Sequence, residues 1–274
     1  MKPFLLIAAI VILGVSLLPP PAHAELNLDK EVLVIPDTHD IKPYVWNVSR
    51  SPKGILLELG PCSHCKDTFI LNIRGIHQVK QEDLHVFVTD YRLSTFAHIR
   101  PSVTDQGYSF QYSPPADGVY RFEVVFRTAT GWVDLRKDLK LAKSGNLSRD
   151  AGDYGYEATV TPYPKMVYAD HVGTFVYHLE YKGSPLNDLE RADGSDIQVA
   201  GWDENLDDFV YMTPKQNLGG PDIGVSIVFT RAGKHRVFGE FRHRGAVHHI
   251  DSDINILQEP LQVRPPFPDT PSEG

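Results

Sequence analysis

The stretch Leu84-His-Val-Phe-Val-Thr-Asp-Tyr-Arg-Leu-Ser-Thr-Phe-Ala-His-Ile-Arg-Pro101 returns without a gap as Ile197-Gln-Val-Ala-Gly-Trp-Asp-Glu-Asn-Leu-Asp-Asp-Phe-Val-Tyr-Met-Thr-Pro214. Asp90 falls on Asp203, Leu93 on Leu206, Phe96 on Phe209 and Pro101 on Pro214. The match continues downstream, with Gly118-Val-Tyr-Arg-Phe on Gly233-Lys-His-Arg-Val, Phe126 on Phe241 and Gly131 on Gly245. Self-similarity at a nearly constant offset is the mark of a duplicated structural unit.

The unit is built of strands. Residues 55–59, 68–73, 84–89, 107–112 and 119–126, and an earlier run at 31–35, are apolar or alternate apolar with polar. Clusters of Gly, Pro and Asp interrupt them, as expected of half-buried strands. No long stretch carries a 3.6-residue apolar period. The expectation is an all-β chain of two tandem immunoglobulin-like β-sandwich modules, each with about seven strands. The boundaries predicted are a signal peptide at 1–24, module one at 25–141, a polar linker at 142–155, module two at 156–258 and a disordered Pro-rich tail at 259–274. Neither module has the Cys…Trp…Cys spacing of antibody domains.

Composition agrees with a globular chain. It has 274 residues, 42% hydrophobic and 23% charged, with 21 Gly and 21 Pro to punctuate short strands. The formal charge is -8, which argues against a general nucleic-acid binder. At the N-terminus, Lys2 precedes an uncharged apolar run from position 4 to 18, and Ala22-His23-Ala24 offers small residues to a signal peptidase. That run falls short of the roughly 20 residues a membrane helix needs. The expectation is a periplasmic or secreted protein with no span beyond its signal peptide.

The repeat resembles the exported bacterial modules of the YtkA-like type, small immunoglobulin-like sandwiches often found in tandem. The resemblance rests on a strand, then Asp-x-x-Leu-x-x-Phe-x-His-x-x-Pro, a second strand, Gly-x-Tyr-Arg-Phe and a closing strand. It covers residues 156–257 and 84–141, with residues 25–83 matching poorly. For some relatives it implies copper or other metal handling. The family pattern Phe-x-His-x-His-Pro is only half kept in Phe96-Ala-His98-Ile-Arg100-Pro101 and is lost in Phe209-Val-Tyr211-Met212-Thr213-Pro214.

Three groups of residues have the chemistry for a site. Cys62-Ser63-His64-Cys65 holds the chain's only two cysteines. In an exported protein they can close a local disulfide, bind a soft metal such as copper(I), with His64 adding a nitrogen, or exchange electrons with other thiols. The thiol oxidoreductase reading has least support, because the redox Cys-x-x-Cys normally opens a helix in a βαβ context. His77, His85 and His98 extend the loop to a soft-metal patch if the fold brings them together. Otherwise each is a separate surface histidine. His243, His248 and His249 flank Gly245 in a hairpin beside Arg242 and Arg244, and form a second candidate metal or anion cluster unless they are simply a solvated tip. Asp203, Glu204, Asp207 and Asp208 read as a solvated acidic loop, since an EF-hand's spacing is absent. No nucleophile elbow, phosphate loop or zincin helix appears. The function expected is therefore binding or assembly in the envelope, with a protein or metal ion as partner. Copper is the only cofactor suggested, and no catalytic residue is assigned.

Overall fold

The computed structural model describes residues 49–50, 55–75, 79–105, 107–129, 131–145 and 155–259. The predicted signal peptide, the run at 31–35, His77 and nearly all of the tail lie outside them. The strands of the first half are β1 (Ser49–Arg50), β2 (Leu56–Pro61), β3 (Thr68–Arg74), β4 (Leu84–Asp90), β5 (Phe96–Ile99), β6 (Ser102–Thr104), β7 (Gly107–Gln111), β8 (Gly118–Thr128) and β9 (Gly131–Leu141). The second half holds β10 (Tyr156–Tyr163), β11 (Val172–Tyr181), β12 (Ser184–Pro185), β13 (Ile197–Asp203), β14 (Phe209–Met212), β15 (Asp222–Val228), β16 (Gly233–His243) and β17 (Ala246–Ile256). A single 3-10 turn, Gln81–Asp83, is the only helical element among the described residues.

Each half is a sandwich of two sheets. In the first, β1-β9-β8-β4-β5 packs on β2-β3-β7-β6; in the second, β14-β13-β16-β17 packs on β10-β11-β15, with β12 at the edge of β11. We call the first-named sheet of each sandwich its inner sheet and the other its outer sheet. The chain is all-β, and its two modules are β-sandwiches of immunoglobulin-like type. Register confirms the duplication residue by residue. Leu84 pairs with Phe126 as Ile197 does with Phe241, and Val86 with Ile99 as Val199 does with Met212. One alignment shifts. Thr128 pairs with Gly131 as His243 pairs with Ala246, so Gly131 answers to Ala246 and not to Gly245.

Side-chain parity decides what each strand faces. On β4, Leu84, Val86 and Val88 join Tyr120, Phe122, Val124 and Phe126 of β8 in the core against Leu59, Phe69, Leu71 and Phe110 of the outer sheet. The second core repeats this with Ile197, Val199, Val237 and Phe241 against Phe175, Tyr177, Leu179, Ile223, Val225 and Ile227. Yet β4 and β13 are buried along almost their whole length, on both faces. Their other faces meet each other. Phe87, Leu93 and Val125 of the first sandwich form one cluster with Ala200, Trp202, Leu206, Phe209 and Phe238 of the second, and Phe96, Trp132 and Tyr211 pack against it. The two sandwiches thus stand inner sheet to inner sheet, within one compact unit. Trp202 is fully buried in this interface.

The repeated Asp-x-x-Leu is the turn that delivers a leucine to the interface. The Asp90 carboxylate accepts from the amides of Ser94 and Thr95, at 2.6 and 3.2 Å. Asp203 accepts from Asp207 and Asp208, at 2.6 and 2.7 Å. Leu93 and Leu206 sit in the left-handed region, at φ 53° and 59°, and both are buried. The acidic loop is therefore not simply solvated. Asp203 and Asp208 are buried, and Asp208 accepts from the amide and hydroxyl of Thr230. Because charged acceptors hold these amides, Asp203→Ala is expected to lower the stability measured in urea by about 2 kcal/mol. The more exposed Asp90→Ala should cost about half that.

Candidate functional site

The largest gathering of chemically capable side chains spans the interface between the sandwiches. Arg100, just after β5, donates from Nη1 to Nε2 of His85 at 2.8 Å. His85 Nδ1 lies 2.9 Å from His98 Nε2, and His98 Nδ1 lies 3.0 Å from Oε1 of Glu240 on β16. The other oxygen of Glu240 lies 3.1 Å from His249 Nε2 on β17. Arg100 closes the line to the second sandwich through Asp193, at 2.8 Å. Asp193 accepts from Gln198, whose carbonyl oxygen accepts from the Tyr211 hydroxyl. Tyr211 and Phe87 pack their rings on His85 and His98.

Proton positions along this line follow from one fact: guanidinium can only donate. His85 must therefore accept at Nε2 and donate at Nδ1. His98 accepts at Nε2 and donates to Glu240 from Nδ1, and His249 donates to the remaining oxygen. A cation and an anion end the chain, with two neutral imidazoles between them. Burial, with the charge of Arg100, pushes His85 down to about 2. Burial works to raise Glu240, but the hydrogen bonds from His249 and His98 outweigh it and hold the carboxyl at about 2.

A second polar group lies beside it. Glu123 of β8 is fully buried and accepts from Trp202 Nε1 at 3.4 Å. Arg121 and Arg136 each approach its carboxylate to 3.7 Å. Burial, and then the charge of Asp134, push the Glu123 carboxyl well up, against the weaker pull of Arg136 and Arg121. Arg121 and Arg136 also donate to the Leu206 carbonyl, at 2.5 and 3.4 Å, so module one grips the turn of module two directly.

These positions revise the candidate sites. His85 and His98 do come together, and both side chains are buried, so they are not separate surface histidines. They do not join Cys62, His64 and Cys65, because His85 projects from the inner sheet toward the second sandwich while the cysteine loop belongs to the outer sheet of the first. Nor are their lone pairs free for a metal. Nε2 of each ring is filled by a donor, and Nδ1 of each carries the donated hydrogen. No group of three or more His, Cys, Asp or Glu arranged to hold a metal ion occurs among the described residues.

The hairpin cluster splits. Arg244 and Gly245 turn β16 into β17 with φ 54° and 77°, the two positive values of a type I′ turn. His243 and His248 fold inward and are buried, not solvated. His243 meets the Tyr156 hydroxyl at 2.7 Å and Asp188 at 3.2 Å, and the His248 ring packs at a tilt on Tyr156, with centroids 4.0 Å apart. His249, one residue on, points the other way, to Glu240. Sequence reasoning missed Glu240, Arg100 and Glu123. The available signal was an acid inside an apolar strand, as in Phe238-Gly239-Glu240-Phe241.

Cys62 and Cys65 are joined in a disulfide at the turn from β2 to β3. Ser63, His64, Cys65 and Lys66 are exposed.

A family model described as a domain of unknown function, DUF8832, matches residues 151–257, the second sandwich. The search of curated proteins gave no match. Among solved structures the chain is similar to the chicken CNTN1 FN1–FN3 domains, at 9% identity over 73% of this chain and 66% of that one, with a TM-score of 0.23. It is also similar to bovine butyrophilin, at 14% identity over 68% of this chain and 89% of that one, with a TM-score of 0.18. Likeness this distant leaves function to be argued from the site. No helix among the described residues is long and apolar enough to cross a membrane.

The buried acids and histidines set a pH profile. His85 is depressed from an ordinary 6.5, so the folded state binds fewer protons and loses stability as pH falls below 6.5. Glu240, depressed from 4.5, adds the same slope below 4.5. Glu123, raised from 4.5, acts in reverse: its contribution is complete below 4.5 and is lost as pH rises toward its folded value. Between pH 6.5 and 4.5 His85 and Glu123 oppose each other. Below 4.5 the unfolding constant should rise by about a hundredfold per pH unit, one factor of ten from each of two protons. In Glu123→Gln the loss should begin near pH 6.5, read as the urea midpoint against pH.

Proposed function

We propose that this is an exported, non-catalytic protein of the cell envelope whose two sandwiches act as one rigid body in binding or assembly. The observation that carries this reading is the interface. It engages the histidines, carboxylates and arginines best suited to chemistry in contacts with one another, and leaves the outer sheets turned to solvent. On β10, Glu157, Thr159, Thr161 and Tyr163 are exposed in strict alternation, a mostly polar face. On the other sandwich the short edge strand β6 is exposed throughout, with Val103 at 56%. An exposed sheet edge can pair with a strand of a partner.

The test is crosslinking in the native host, with a photoreactive residue at Thr161 or Val103 and a control at Val88 in the first core. The outer positions should give a discrete adduct larger than the chain, in the envelope fraction, and Val88 none. A protein released freely by osmotic shock that yields no adduct at either outer position would contradict the assembly reading.

Copper handling is the second reading, favoured by Cys62, His64 and Cys65 lying together in one exposed turn. It requires the disulfide to be open. Reduced protein titrated with copper(I) under a competing chelator should take up one equivalent, and Cys62→Ser/Cys65→Ser none. Equal uptake by the double variant would remove this reading.

A further inference from the structure

We propose that the Cys62–Cys65 disulfide is an electron-accepting exchange site for an exported dithiol, not a structural crosslink. Its first support is an internal control. The hairpin β2–β3 of module one corresponds to β10–β11 of module two, each pairing next with β7 or β15. Module two closes the same sandwich with no cysteine, since the chain has only these two. The architecture therefore does not depend on the bond.

The second support is how the turn is held. The Cys62 amide donates to Thr68 O at 2.8 Å, and Tyr112 donates to Asp67 O at 2.9 Å. The Thr68 hydroxyl donates to Lys66 O at 3.1 Å, and the Ser113 hydroxyl to Asp67 at 3.0 Å. These bonds fix the base of the loop to β3 and to the residues after β7 whether or not the sulfurs are joined. The bond spans a sequence separation of only 3, so it withdraws little entropy from the unfolded chain. It contributes little to stability and can open without unfolding the protein.

The third support is access and direction. Cys65 is exposed, with exposed His64 and Lys66 on either side, whereas Cys62 is half-buried and pinned through its amide to Thr68. An incoming thiolate attacks Sγ of Cys65, the Cys62–Cys65 bond breaks, and Cys62 leaves as the thiolate and takes up a proton. The partner's second thiolate then attacks its own sulfur in the mixed disulfide, forming the partner's disulfide and releasing Cys65 as a thiolate, which is protonated. Two electrons pass to this protein and the dithiol is oxidised. Lys66, exposed and next in sequence to Cys65, favours the approach of an anion.

The test uses the intact oxidised protein and, as probe, a small reduced Cys-x-x-Cys protein of the thioredoxin class in native buffer. Thiols are counted by alkylation and mass. The expected result is two new thiols on this protein for two lost from the probe, with Tm lowered by less than about 5 °C. A probe with only its attacking cysteine should leave a mixed disulfide on Cys65 in about tenfold excess over Cys62. The proposal fails if thiols appear only in denaturant, if reduction abolishes the native circular dichroism, or if the adduct maps to Cys62. None of these outcomes bears on partner binding through the outer sheets.

Discussion

The hydrogen bond from His98 to Glu240 is the contact on which the arrangement of the two sandwiches turns. It crosses from one inner sheet to the other with side chains that are 2% and 10% exposed. A carboxylate in that position must be fully satisfied, because an unpaired buried charge costs several kcal/mol. Glu240 meets the demand with His98 on one oxygen and His249 on the other, and His98 is in turn satisfied by His85, which itself accepts from Arg100. Around this line lie Phe87, Phe96, Trp202, Phe209 and Phe238, aromatic rings that supply most of the apolar area. The rings favour any close packing of the two faces. The polar line selects one.

Divergence between the two copies is what makes that selection. In the shared register His98 answers to Tyr211, Arg100 to Thr213, Glu123 to Phe238 and Val125 to Glu240. Two identical faces brought together would set like groups near like. Here the acid that module two presents, Glu240, meets a histidine that only module one has. The acid of module one, Glu123, meets Trp202, where module one itself has Thr89. Each copy carries half of a complementary pair, so the module-one face fits module two better than a second module one. This is the use to which buried polar groups are best suited, fixing register more than adding stability.

The sequence made the sandwiches legible because period-two alternation and repeat alignment both report backbone geometry. The residue correspondence between the copies holds in the register of β4 with β5 and β8, and it misled at the β8–β9 turn, where the true correspondence shifts by one residue. What alternation does not report is whether the face away from the core meets water or another sheet. In His85-Val86-Phe87-Val88 the odd positions read as an outer face, and a histidine there reads as an edge residue or a metal ligand. The outer sheet of module two shows the contrast. On β10 the same alternation does meet solvent, and its outward residues are a glutamate, two threonines and a tyrosine, while on β4 they are a histidine, a phenylalanine and a threonine.

The repeated leucine shows why the turn itself had to be kept. A bulky residue in the left-handed region costs on the order of 1–3 kcal/mol, and this chain bears the cost at both Leu93 and Leu206. Neither is explained by its own sandwich, because both side chains belong to the interface cluster and to neither core. The aspartate three residues earlier ties down the amides beyond the leucine, so the strained backbone is held by hydrogen bonds that the burial of the leucine reinforces. On module two the Leu206 carbonyl also receives Arg121 and Arg136 from across the interface. Asp-x-x-Leu is thus a docking element and not a loop signature. Its presence in both copies is the part of the sequence that announces two sandwiches meeting face to face.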